Sequence, residues 1–510
     1  MGESKHSSIL RETAYLSVFS VILQGMGLLL NIFLTRRLGA ASVGALTLIG
    51  SFYSLTAVLS GGSGFIATSR FLSEELGCGG NPQRVFRYAG LFCLTLSSSF
   101  ALVLCLFAPH FANLIAKTGA NAVTIRLLSL SLPVSAWIAC LKGRCYAYQK
   151  AILPAISECI EFLVRAGFMA FYTVFLIPYG KATILTAFAV SGLAGQGIVS
   201  VFLMMMPMPH QENCNICSFR FPKFIRLMMP IIGNACLVSL LSTANDALVP
   251  LTLLQFGSST DQALAQFGEF EAIIIPVLFF PSVVQCCMSG LMVPELSRAR
   301  AEQNGNQIRT MTERVLEQTV SFALFVTVFL VQFGEQLGIL LGGEAYTGGI
   351  LRLMAPVVPF IYIEIILEGV LRGLGKQNFS SLNYLAEYVV RISVLLICVP
   401  MFGFYGIVAS YMACNLTGNA VRLFFVLRVT GLQPDWKQIL LRPFILILVC
   451  WQITLLCLIP VRLFRLPAMV SILLFALICG TLYFFGLRVY DNISGQTKAA
   501  PGKAPQDLLN

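Results

Sequence analysis

The sequence predicts an all-α polytopic membrane protein of about 14 transmembrane helices, two related six-helix lobes followed by a helix pair. Three observations predict it. The composition is too apolar for a water-soluble chain. Apolar runs of span length follow one another from end to end. A charged motif from the first half returns in the second.

Of 510 residues, 57% are hydrophobic and 11% charged, where a soluble domain carries about 25% charged residues. Mean hydropathy is +0.81. A soluble chain of this balance would leave large apolar surfaces in water. The runs reach the roughly 20 residues of a helical span and lack the alternation over about 10 residues that marks a membrane β-barrel. The net charge of +11 belongs to loops facing the cytoplasm, not to a nucleic-acid surface. Most of the 16 Cys lie in apolar runs, among them Cys93, Cys105, Cys236, Cys398 and Cys457. There they act as small hydrophobes.

The spans are expected near 13–34, 41–62, 86–108, 121–141, 152–177, 183–206, 225–255, 268–293, 315–338, 348–371, 379–401, 404–427, 439–460 and 466–487. The first is read as a retained span, because no small-residue cleavage site follows a short apolar core. With the N-terminus inside, about 23 Lys and Arg fall on the inner side and about 8 on the outer, while Arg165, Arg391 and Arg422 lie within spans. This bias predicts an even number of spans with both termini cytoplasmic. The polar tail from Asp491 onward reads as disordered.

The repeat gives the domain plan. "LKGRCYAYQKAILPAISECIEFLVRAG" begins at Leu141, and "LEGVLRGLGKQNFSSLNYLAEYVVRIS" begins 226 residues later at Leu367. Leu141, Gly143, Lys150, Glu161 and Arg165 match Leu367, Gly369, Lys376, Glu387 and Arg391 without a gap, and Pro133 matches Pro359. An offset of six spans between elements of equal orientation predicts two parallel halves with a site between them. The expected divisions are 1–215 and 216–432 for the lobes, 433–490 for the extra helix pair and 491–510 for the tail.

Several stretches carry a family resemblance. They are "TRRLGAASVG" after span 1, "SGGSGFIATSRFLSEE" after span 2, "FGEFEAIIIPVLFFPSVVQCCMSGLMVPELSRARA" around span 8 and "LRGLGKQN" after span 10. In this order they resemble the multidrug/oligosaccharidyl-lipid/polysaccharide exporter superfamily. The chain looks most like the stage V sporulation protein B branch, which carries two extra C-terminal helices and is related to lipid II flippases. The resemblance implies flipping of polyprenyl-pyrophosphate-linked saccharides across the plasma membrane, for cell-wall, spore-cortex or surface polysaccharide synthesis. It also implies a lipid-linked oligosaccharide and membrane lipids as partners, and a functional monomer. One departure stands out. After "NDALVP" in span 7, where relatives carry Arg, this chain reads "LTLLQFG".

Charges inside spans face a bundle interior or a watery cavity and find partners. They supply the candidate substrate-binding residues Arg36, Arg37, Glu158, Glu161, Arg165, Asp246, Glu364, Glu368 and Arg391. Arg36 falls where the resemblance implies a cavity arginine; as an outer-end pair, Arg36 and Arg37 would instead snorkel. Glu161–Arg165 and Glu387–Arg391 are spaced i,i+4 and are expected to neutralise each other and hold each lobe together. The alternative is exchange of partners during transport. Glu158 is matched by Tyr384 rather than by an acid, so it is the candidate for protonation. Glu364, Glu368 and Arg372 form a stripe whose first-half counterparts are Ile138, Lys142 and Tyr146. Arg422 is expected to snorkel toward the inner surface, the alternative being that it faces the central cavity. The resemblance also implies a sodium site, with Asp246, Asn383 and Glu387 as its ligands; sodium and the proton both stand as coupling ions.

The "HQENCNIC" loop with His210, Cys214 and Cys217 lacks a fourth zinc ligand. No catalytic triad, P-loop or nucleotide fingerprint is present in the sequence. An enzyme is therefore not expected, and no cofactor is. A membrane glycosyl- or acyltransferase would need acidic or His motifs in an aqueous loop, and His6, His110 and His210 form none. A cation-coupled drug or metabolite exporter of the same superfamily is the nearer alternative, although that branch usually has twelve spans.

Overall fold

The computed structural model describes residues 2–498 apart from 63, 78–80, 115–119, 151, 178–182, 208–220, 345 and 459–467. His210, Cys214, Cys217, the side chain of His6 and the tail beyond 498 lie outside the described residues. Among the described residues there is no strand. Fourteen long helices carry the fold. The first half holds α1 (Gly2–Leu38), α2 (Ala40–Leu76), α3 (Pro82–Leu106), α4 (Ala122–Ala147), α5 (Ile152–Phe175) and α6 (Ile184–Met205). The second holds α7 (Phe221–Phe256), α8 (Thr260–Ala301), α9 (Gly305–Leu340), α10 (Thr347–Gly373), α11 (Gln377–Phe402) and α12 (Phe404–Thr430). Then come α13 (Lys437–Cys457) and α14 (Ala468–Lys498).

Twelve of these are long and apolar enough to cross a membrane. The other two, α5 with 24 residues and α12 with 27, have the length but carry Glu158, Glu161 and Arg165, or Asn415, Asn419 and Arg422. Each expected span position thus holds a long helix. Several helices outrun the expected apolar runs because polar caps keep their ends helical. Ser259 and Gln262 form a capping box on α8, and Asn304 and Asn81 accept the backbone N–H of Gln307 and Arg84.

In the first half, α4 packs on α3, α6 and the second part of α2, and α5 packs on α6. In the second half, α10 packs on α9 and on the later turns of α8, while α11 packs on α7 and α12. The C-terminal pair docks on α9 through the cluster of Val320, Leu324, Phe333, Ile447, Phe475 and Tyr483. Two polar bonds fix its register: Tyr483 Oη donates to Ser321 O (3.1 Å) and Trp451 Nε1 to Gln332 Oε1 (3.1 Å).

The halves meet along α1, α2, α7 and α8. At the start of α2 and α8 the backbones touch. A Cβ on Gly268 would fall 2.6 Å from Gly44 N, so only glycine permits this crossing. Further along, α2 is broken by a wide turn over Val58–Gly62, where Gly61 takes φ 126°, a value that L side chains disfavour. The kink rests on α3 and α4.

Candidate functional site

The second half concentrates buried charge around Arg422. Its guanidinium is 0% exposed. Nη2 lies 2.9 Å from Glu387 Oε1 on α11 and Nη1 lies 3.4 Å from Glu364 Oε1 on α10. Nη1 also donates to Asn419 Oδ1 at 2.9 Å, and the group lies over the Tyr384 ring at 4.9 Å. Three helices are thereby tied through one side chain. Asn383 fixes the acceptor: its Nδ2 donates to Glu387 Oε1 (2.6 Å) and to Gly418 O (3.2 Å). Gly418 leaves space for that carboxylate, which a Cβ would overlap.

One turn along α11, Arg391 Nη2 is 3.8 Å from Glu271 Oε1 on α8, and its guanidinium lies over the Tyr411 ring at 5.0 Å. Asp246 of α7 completes this end. It accepts Ser51 Oγ of α2 at 2.5 Å and Asn245 Nδ2 at 3.1 Å, while Thr243 Oγ1 donates to Ser51 O at 3.2 Å. The Ser51–Asp246 bond joins the two halves. At the other end Glu368 holds Arg372 at 3.1 Å and accepts the Ser380 hydroxyl. A cavity of about 210 Å³ opens among these groups, lined by Glu364, Glu387, Arg391, Tyr384, Tyr388 and Tyr411 among others.

Asp246, Glu271, Glu364 and Glu387 face Arg391 and Arg422, so acids outnumber bases. A buried, acid-rich network of this kind can accept a cation or a proton and reshuffle its ion pairs in response.

Several expectations need correction. Glu387 pairs with Arg422, not with Arg391, because Arg422 reaches it from α12 at ion-pair distance while Arg391 turns to α8. Glu161 and Arg165 form no ion pair with each other; Arg165 lies over the Phe188 ring at 4.4 Å. Arg422 does not snorkel but is sealed among acids from two other helices. Glu158 is not unpaired: it pairs with Lys142 at 3.2 Å, and its side chain is 53% exposed. Of the three residues expected around sodium, Asn383 and Glu387 are brought together, Asn383 Nδ2 donating to Glu387 Oε1 at 2.6 Å, while Asp246 lies with Ser51 and Asn245.

Arg36 lies away from the network. It donates to Leu340 O at the end of α9 and packs beside Gly342, where a Cβ would come 2.8 Å from its Cγ. Arg37 is exposed. Glu271 and Ser51 were missed by the sequence reading. The acid in "GEFEAIIIP" was the available signal for the first; a lone span serine gave none for the second.

No family model matches the chain. It is 19% identical over 457 residues to stage V sporulation protein B of Bacillus subtilis (strain 168), covering 87% of this chain and 88% of that protein. Among solved structures it is similar to the lipid II flippase MurJ in an inward closed conformation, at TM-score 0.73 and 14% identity, over 94% of this chain and 99% of that one. It is also similar to an inward-facing multidrug resistance MATE family transporter of the MOP superfamily, at TM-score 0.63 and 15% identity, over 80% of this chain and 94% of that one.

Proposed function

We propose, from the premise that this chain is a homologue of stage V sporulation protein B with the fold of the MOP superfamily, that it carries a polyprenyl-linked saccharide across the plasma membrane. Two six-helix lobes, 1–215 and 216–432, rock about the contacts of α1, α2, α7 and α8. The observation that carries this reading is coverage. The flippase fold extends over 94% of the chain, whereas the multidrug transporter, itself matched over 94% of its length, covers 80%. The difference favours the branch with an added C-terminal helix pair.

With both termini cytoplasmic, the Gly44–Gly268 crossing and the Arg36–Leu340 bond lie on the outer side and seal it. The cargo then enters from the inner face. The buried network in the second lobe is the coupling element: cation or proton uptake at Glu364, Glu387, Glu271 or Asp246 would release an arginine and loosen the Ser51–Asp246 link between lobes. No cofactor or catalytic step is required, and a monomer suffices.

A second reading, export of small organic cations, is favoured by one observation. Three tyrosines and two glutamates line the 210 Å³ cavity beside Arg391, and arginines already lie over Tyr384 and Tyr411, so the cavity holds cations by ring and carboxylate together. One experiment separates the two. In proteoliposomes carrying lipid II, the accessibility of the head group is followed with and without sodium and proton gradients, beside efflux of an organic cation. Head-group movement lost in Glu387→Gln supports the flippase. Cation efflux without lipid movement overturns it.

A further inference from the structure

Away from the charge network, one pair of nucleophilic side chains has no part in transport as described above. Cys93 of α3 and Cys140 of α4 are 2% and 0% exposed. Their thiols face each other, and both converge on the kink of α2. The point that a Cβ on Gly64 would occupy lies 3.0 Å from Cys93 Sγ and 3.1 Å from Cys140 Sγ. Glycine at this position lets both sulfurs approach the α2 backbone more closely than an ordinary side chain would allow. Thr68, one turn along α2 and 0% exposed, turns its Oγ1 toward the Cys140 thiol and has no oxygen or nitrogen partner among the described residues. A hydroxyl whose neighbour is a thiol is weakly satisfied, and a thiolate in the same place would accept its proton more strongly.

We propose that Cys93 and Cys140 form a two-coordinate site for a monovalent soft cation, copper(I) being the natural probe, with the Thr68 hydroxyl supporting the metal-bound sulfur. The chemistry follows from the donors and their surroundings. Thiol sulfur selects soft ions, whereas sodium, magnesium and calcium take oxygen, and structural zinc takes four ligands. Ala136, Phe86 and Phe92 wall the thiols, and no Lys, Arg, Asp or Glu is among the partners of either. Such a site favours a neutral complex. One cation therefore binds as one proton leaves, giving one thiolate and one remaining thiol around the metal. Thr68 donates to the thiolate. The ion ties α3 to α4 where both press on the kink of α2.

The test is a titration of the full-length protein in detergent with copper(I), under reductant and against a chromophoric competitor. Wild type is compared with Cys93→Ala, Cys140→Ala and the double variant. Wild type should bind one tight equivalent more than the double variant, with release of one proton for that equivalent. Each single variant should lose that whole equivalent, because one sulfur does not make the site. Equal binding by wild type and double variant overturns the proposal. So does a loss that simply adds between the two single variants, which would mark independent thiols. Gly64→Ala keeps both sulfurs and the α3–α4 contact but puts a methyl between them; it should weaken binding by roughly tenfold or more. Unchanged affinity there, in a variant with an unchanged melting temperature, also overturns it.

Discussion

α5 and α11 carry the same charges at the same spacing, and the two helices use them differently. In α11, Glu387 and Arg391 are drawn apart by partners on other helices, Arg422 and Glu271. In α5, Arg165 rests on an aromatic ring, and Glu158 reaches a lysine with half of its side chain exposed. The neighbours account for the difference. α10 brings Glu364 and Glu368 to the second lobe, where the matching positions of α4 are Ile138 and Lys142. An inherited i,i+4 motif supplies charge to a helix face; the helices packed against that face decide whether it becomes a network.

The strongest way to break this comparison is at its centre. Arg422→Met leaves Glu364 and Glu387 buried without their cation. Removing one partner of a buried pair costs about 3–5 kcal/mol. Arg165→Met removes a ring contact worth about 0.5–2 kcal/mol and a longer-range attraction to Glu161. Thermal unfolding of the two variants in one detergent should therefore show a much larger fall for Arg422→Met. Equal falls would mean that the first-half arginine is as deeply engaged as the second.

Next in size is Glu387→Gln. The amide keeps the shape and can still accept from Asn383, but Arg422 loses its nearer carboxylate. A hydrogen bond to a charged group contributes about 1.5–3 kcal/mol, so a milder destabilisation is expected, with flux lost more completely than fold. Glu161→Gln, the matched change in the first half, should leave flux close to wild type. Loss of flux from both variants would restore functional symmetry between the lobes.

Ser51→Ala sharpens the comparison at the seam. It removes the bond from α2 to Asp246 while leaving every charge in place. The stability cost should be about 1–3 kcal/mol, since the acceptor is a carboxylate. Crosslinking of cysteine pairs across the α2–α7 seam should report a more open interface. Unchanged crosslinking would remove Ser51–Asp246 from the coupling route.

How much of this was legible in the sequence follows from the range of each interaction. A span is a one-dimensional property, about 20 apolar residues long, so the twelve helices apolar enough to cross a membrane could be read from the sequence. The ends could not, because caps such as Ser259 extend helices past their apolar runs. Asp246, Glu364, Asn383 and Glu387 were legible as polar residues inside spans. Their partners were not. Arg422 lies on a different helix from each of its acids, and the same arginine would snorkel if no acid faced it. The local i,i+4 reading failed because a nearer acceptor lay across a helix interface. The thiol pair was invisible for the same reason: Cys93 and Cys140 read as small hydrophobes until α2 brings its glycines between them.

The smallest effect falls on Glu158, the residue that sequence symmetry made the candidate for protonation. Its side chain is 53% exposed and its partner Lys142 is 18% exposed. An accessible pair of this kind contributes about 0.2–1 kcal/mol, and less with salt. Glu158→Gln should change the melting temperature by little, and the pH profile of flux should keep its midpoint. A shifted midpoint in Glu158→Gln alone would return the proton to the first lobe and undo the contrast between α5 and α11. A shifted midpoint in Glu364→Gln or Glu387→Gln, with Glu158→Gln unchanged, would locate coupling in the lobe whose charges are buried.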